Sequence, residues 1–305
     1  MTKPIFLLAL FAAAYAAESG ARPAARDNIR LLIKAGDYVT AMEKAKALNK
    51  QTPDDVATYQ ILAEAQLGLG DYEDAEMTIQ WMLDLRIGKA DAMGWYVVAK
   101  FREAVGDLEG SLDAVNLAYG RVVPGQQPDI PTLLIYSARL QMKAGRLENA
   151  EAVLKSMPAG TTTTEQNQLA IAELRIQQQR QAEAVGILKS LSKTPGNLYL
   201  LSEQTKDAAD YKAFETAALE QKDKWNAELT LYYAGAGDRA RDAVKLAKQE
   251  AAKRHDVGTL DRLAFALYQA GQKDEARVTM KSIVKLGNRD PEVLRHAALM
   301  GVAIR

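Results

Sequence analysis

The chain has 305 residues, 48% hydrophobic and 26% charged, which is enough to bury a substantial core. Its 39 basic and 39 acidic residues balance, so no broad positive field exists to draw in nucleic acid or anionic membrane. No cysteine is present, which excludes a disulfide framework and a lipoprotein-type attachment site.

Taken in chain order, residues 1–17 read as a secretory signal peptide. Lys3 supplies the positive start, Ile5 to Ala14 the apolar segment, and Ala14-Tyr15-Ala16 a small-x-small cleavage site. The apolar run is shorter than the roughly 20 residues that span a bilayer, and no later stretch is long and apolar enough to cross one, so no membrane span is expected after cleavage. Glu18 to Asp27 is expected to be a lead-in, followed by helices over Ala24–Ala35 and Tyr38–Asn49, with Pro53 closing that segment. Two strongly patterned segments follow at 54–87 and 90–121. The stretch Arg121 to Pro131, with prolines at 124, 128 and 131, predicts a lengthened connection. Pro158 to Thr164 predicts another break, because threonines suit N-caps and loops better than helix interiors. A helical pair spans about 165–193, and Pro195-Gly196 is expected to stop it. From Asn197 to Ala236 the pattern fades, then returns with Gly237 and Gly271, and Pro291 opens a last helix to about Ile304.

One short stretch recurs throughout. Gly70-Asp71-Tyr72-Glu73-Asp74-Ala75 is preceded 34 residues earlier by Gly36-Asp37-Tyr38-Val39-Thr40-Ala41, and echoed by Gly106-Asp107, Gly145-Arg146, Gln179-Arg180 and Gly271-Gln272. Before each turn, apolar residues recur at helical spacing, as in Tyr59, Leu62 and Ala63 or Leu260, Leu263 and Ala264. After it a second stripe follows, as in Ala75, Ile79 and Met82. The repeating element is therefore a helical hairpin. Glycine ends the first helix in a left-handed conformation, aspartate caps the second, and the small residue five places after the glycine lets the helices approach.

Tyr59, Leu62, Ala63, Gly70, Tyr72, Ala75 and Ile79 together resemble the tetratricopeptide repeat, and Trp95, Ala99 and Gly106 anchor the next copy. Gln66 and Arg102 depart from its usual aromatic, Gln179 from its glycine and Ser111 from its alanine. The resemblance implies an all-α, right-handed superhelical solenoid of antiparallel helical hairpins, with about seven repeats. It is read as an N-terminal array over 18–195 and a divergent C-terminal array over 196–305 ending in a capping helix. It also implies that the first helices line a concave groove. Carried over by position, that face holds Gln60 and Glu64, then Tyr96, Lys100 and Glu103, then Ile135, Arg139, Met142 and Lys143, then Leu169 and Glu173. Lys100, Arg139 and Lys143 suit a carboxylate or acidic segment, with Tyr96, Ile135 and Met142 as apolar anchors. Asparagine is missing from these positions, so the family's carboxylate clamp is not expected.

Catalytic, metal and cofactor motifs are not read from the sequence. His255 and His296 are the two histidines, 41 residues apart, and are expected as a loop residue and a partly buried helix residue. There is no phosphate-binding glycine loop and no Gly-x-Ser-x-Gly. Glu73, Asp74, Glu76, Glu148 and Glu151 are expected to form solvated helix starts. The expectation is a non-enzymatic periplasmic or secreted scaffold for a protein or peptide partner, with no nucleic acid and no cofactor. The alternatives are a self-assembling homo-oligomeric envelope protein and a cell-wall enzyme with an unrecognised carboxylate site.

Overall fold

The computed structural model describes residues 23–85, 91–161, 163–221, 226–288 and 290–303. The expected signal peptide, 1–17, lies outside these residues. The described chain is helical, with no strand among its residues, and it forms two compact units, residues 1–88 and 89–305.

The first unit contains α1 (23–34), α2 (Tyr38–Gln51), α3 (Val56–Leu69) and α4 (Tyr72–Leu85). Its centre is Ile29, Ala41, Ala45, Ile61, Leu62 and Ala65, with Leu32, Ile33, Met42 and Leu48 packed around them. A Cβ on Gly68 would stand 2.2 Å from the Tyr38 ring, so the missing side chain is what lets α2 lie against α3.

The second unit contains six hairpins and a closing helix. They are α5 (Ala92–Ala104) with α6 (Leu108–Tyr119), α7 (Ile130–Lys143) with α8 (Leu147–Lys155), and α9 (Glu165–Gln177) with α10 (Gln181–Ser190). Next come α11 (Pro195–Thr205) with α12 (Ala208–Glu220), α13 (Asn226–Gly235) with α14 (Ala240–Ala251), and α15 (Val257–Gln269) with α16 (Lys273–Lys285). The chain then enters α17 (Pro291–Leu299). Consecutive helices pack on each other through most of the unit, α10 on α11 included, so the expected division near 195 falls inside it. The described residues hold eight hairpins against about seven expected.

The turns explain the repeat. Gly36, Gly70, Gly106, Gly145, Gly237 and Gly271 all have positive φ. In five of these six, the residue after the turn also donates its N–H to the carbonyl five residues back, as Asp71 does to Gln66 and Asp107 to Arg102. Asp37 and Asp107 cap the next helix, accepting from Thr40 and Gly110 at 3.2 and 2.8 Å, whereas Arg146, Arg180 and Gln272 in the same place make no side-chain cap. Five places on, Ala41, Ala75, Ala150, Ala184 and Ala276 are fully buried. Ser111 replaces this alanine because its hydroxyl finds a partner, donating to the Ala99 carbonyl at 2.8 Å.

Three expectations are corrected. Pro195 begins α11 rather than stopping a helix, since Thr194 caps it and a missing N–H costs nothing in the first turn. Within 197–236 the described residues hold α11, α12 and α13, which continue the series of helices. This stretch eludes the glycine pattern because Lys206, not glycine, takes the left-handed turn position with φ 55°, as Gln179 does with φ 59°. Glu151 is not merely a solvated helix-start residue. The Gln178 amide and then the Lys155 ammonium hold its carboxyl down to about 2, and Arg175 of α9 adds a further attraction.

Candidate protein-binding face

In the second unit α5, α7 and α9 bring several of their expected binding residues together, joining residues 33 to 40 places apart in the chain. The Tyr96 ring meets the Tyr136 ring edge-on at 5.2 Å, and the Lys100 ammonium stands 4.4 Å from the centre of the Tyr96 ring. The Tyr136 hydroxyl donates to Glu103 at 2.5 Å, and Lys143 donates to the other oxygen of Glu103 at 2.6 Å. Arg139 grips Glu173 with two bonds of 2.8 and 3.0 Å. Two of the three cations expected to await a partner's carboxylate, Arg139 and Lys143, are thus already joined to the carboxylates expected beside them, and Lys100 lies over the Tyr96 ring.

Lys143 has a second partner, from far along the chain. The Asp290 carboxylate, which also caps α17 by accepting from the Glu292 N–H, lies 2.8 Å from the Lys143 ammonium. Beside it, Asn288 donates its amide to the Ala104 carbonyl at 3.1 Å, a contact across 184 residues. Gly106 and Gly287 approach so closely that a Cβ on Gly106 would stand 2.0 Å from the Gly287 oxygen. The second unit therefore closes on itself, with the connection between α16 and α17 resting on the ends of α5 and α7. Burial acts to lower the Lys143 pKa, but Glu103 and Asp290 outweigh it and hold the ammonium above the ordinary lysine range. Burial and the Glu103 charge push the Tyr136 phenol up, so it stays protonated and donates.

Not every expected residue faces outward. Gln60 is buried within the first unit, and Glu64 is half-buried there. Ile135 and Met142 are corrected as anchors, for they belong to the core formed with Ala138, Ala150, Leu154, Met157, Ala170 and Leu174. Leu169 likewise packs onto the cluster of Ala172, Leu188 and Leu201. An apolar residue on α7 or α9 is pulled inward because these helices have neighbours on more than one side. Tyr136, Asn288 and Asp290 were missed. Tyr136 sits one place from Ile135, and Asp-Pro at 290–291 is legible as a helix start but not as a long-range contact.

At the far end of this unit the same face is occupied. Ten and six places before its turn α15 carries Asp261 and Phe265, matching Tyr96 and Lys100 in α5. His296 of α17 stacks on Phe265 with centroids 4.3 Å apart, and its Nδ1 lies 2.9 Å from Asp261. Arg295 carries only donors, so at 3.2 Å it leaves His296 Nε2 as acceptor and the proton on Nδ1, donated to Asp261. His296 is fully buried rather than partly so, which removes it from any substrate. Among the described residues no group of His, Cys, Asp or Glu could hold a metal ion, and no helix is long and apolar enough to cross a membrane.

No protein-family model matches the sequence, and no curated protein matches it. Solved structures do match. The human IFIT1 dimer with PPP-AAAA aligns over 87% of this chain and 73% of that one at 12% identity and a TM-score of 0.55. The APC/C hetero-tetramer Cut9-Hcn1 aligns over 89% of this chain at 11% identity and a TM-score of 0.50, and this chain spans about half (48%) of that one. A thermophilic TPR protein of Thermus thermophilus aligns over 65% of this chain and 99% of that one at 22% identity and a TM-score of 0.48. Left-handed turns, a buried small residue five places later and antiparallel helix pairs packed in chain order give this chain an all-α repeat fold of the tetratricopeptide type.

Proposed function

We propose that the protein is a non-enzymatic, exported scaffold that binds a protein or peptide segment along the first-helix face of its second unit. A repeat fold of this type suits protein–protein interaction. The observation that carries the reading is α17 itself. A helix of this same chain lies against α15 at the two positions that correspond to Tyr96 and Lys100 in α5, with its leading carboxylate on Lys143. A face that accepts one helix in this way has the chemistry to accept another, and an acidic segment fits Lys100, which stands over the Tyr96 ring, with the half-exposed Arg139 exchanging Glu173 for a partner's carboxylate. Export to the periplasm or outside the cell rests on the charge, apolar run and small-residue site of residues 1–17, and the balanced charge argues for a protein partner over nucleic acid.

The test is retention of partners from a periplasmic extract by the mature protein and by the double variant Lys100→Glu, Arg139→Glu, with circular dichroism to confirm folding. Partners that leave the double variant support the reading. A folded double variant that retains every partner overturns it, and hydrolysis of cell-wall material by the wild-type protein would favour the enzymatic alternative.

A further inference from the structure

A second surface, on the first unit, is independent of that face. On α4 the side chains of Met77, Trp81 and Leu85 are 51%, 55% and 43% exposed, and their spacing of four places sets them in one stripe about 12 Å long. Beside it lies a depression of about 510 Å³ lined by Pro53, Asp54, Tyr59, Trp81, Asp84 and Leu85. The stripe is not a consequence of the repeat. Eleven places after the turn, where α4 has Trp81, the second helices of other hairpins carry Ala47, Leu117, Ser156, Ser190, Ala217 and Ser282. Seven places after it, where α4 has Met77, stand Glu43, Asp113, Ala152, Gly186 and Ala213, and in α16 an exposed Val278 that is followed by Ser282 rather than by a tryptophan. An exposed tryptophan in a helix whose counterparts are mostly small or polar there has a purpose other than packing the array.

Charge selects the occupant. Every charged residue of α4 is acidic, Glu73, Asp74, Glu76 and Asp84, and Asp54 adds a fifth carboxylate at the depression. Lys46 offsets Asp74 at 3.8 Å, while Asp84 accepts only from the neutral Gln80 amide at 2.8 Å, so the negative border rests on Glu73, Glu76, Asp84 and Asp54. Such a border repels anionic lipid and nucleic acid and attracts Lys and Arg. We infer that the outer face of α4 docks a basic amphipathic helix of a partner protein, with an apolar side chain seated beside Trp81 and cations flanking it over Asp54 and Asp84.

The experiment uses the full chain and two synthetic helical peptides of about 18 residues with the same leucine stripe, one flanked by Lys and one by Glu. Calorimetric titration is expected to show the Lys peptide binding at least about tenfold more tightly than the Glu peptide, and Trp81→Ala weakening it by about tenfold or more. Trp81 is exposed, so the variant keeps its helicity and Tm, and the Asp54→Lys, Asp84→Lys variant reverses the peptide preference. Lys100→Glu with Arg139→Glu leaves this binding unchanged, which separates it from the other face. Equal affinity for the two peptides, or no effect of Trp81→Ala, overturns the inference. So does self-association of the chain, or binding to anionic vesicles, that depends on Trp81.

Discussion

Two places on the first helices, ten and six residues before the turn, hold Asp261 and Phe265 in α15 but Tyr96 and Lys100 in α5, and Ile135 and Arg139 in α7. In α15 they are covered by α17, and the side chain of Asp261 keeps 6% of its exposure. In α7, Arg139 keeps 42%. At the covered end His296 is buried between Asp261 and Arg295, and Asp261 is nearly as buried, so losing either member of the pair is costly. At the solvated end polar groups pair with their neighbours in a ladder, where each bond competes with water and contributes little. The place six residues before the turn is thus covered in α15 and available surface in α7, and the difference there is whether the chain folds back over it, whereas ten before the turn Ile135 is core through the helices flanking α7.

The largest expected effect breaks the covered end. His296→Ala leaves a buried carboxylate and a cavity, and should cost about 3 to 5 kcal/mol of stability by urea denaturation. A loss below about 1 kcal/mol would mean that α17 is not fixed there. Next, Gly106→Ala and Gly271→Ala compare two turns of the same handedness, φ 88° and 79°. Gly271 has nothing within 4 Å of its missing Cβ and should cost about 1 to 2 kcal/mol in backbone strain alone. Gly106 should cost about 1 to 3 kcal/mol more, because Gly287 must move away. Combined with Asn288→Ala its effect should be less than additive, as both loosen the seat of residues 287 and 288 on the end of α5.

Smaller effects sharpen the solvated end. A double-mutant cycle of Lys143→Met with Asp290→Asn should give a coupling of about 1 kcal/mol, since the pair is partly solvated. The sign of its pH dependence follows from the raised lysine. The bond contributes fully below the unfolded lysine value and is lost only as pH rises through the higher folded one. Coupling should therefore persist from neutral into mildly alkaline solution, and coupling already lost by about pH 9 would contradict the arrangement. The smallest change is Gln179→Gly at the end of α9, expected to stabilise by about 0.5 kcal/mol as relief of the left-handed strain slightly exceeds the added entropy of the unfolded chain. Calorimetric Tm against the wild type would show it.

Much of the array was legible in advance. The glycine turns located α1 to α8, and among the first-helix positions Tyr96 contacts Lys100, Glu103 contacts Lys143, and Arg139 contacts Glu173, which leaves their part in binding a partner to the proposal. Reading failed at Lys206, where the left-handed residue is not glycine, because the turn demands a conformation and glycine is only the cheapest way to meet it. It failed again at Ile135 and Met142, whose repeat positions are surface in a single hairpin but core when helices flank α7.

By itself, then, the sequence determined the hairpin, its period and the side of each helix that turns inward, because these depend on local backbone preference and on apolar spacing within about 34 residues. Only the tertiary structure decided which part of that side stays open. The bonds that close the second unit, Asn288 to Ala104 and Asp290 to Lys143, join residues about 150 to 180 places apart, and no local pattern carries that distance.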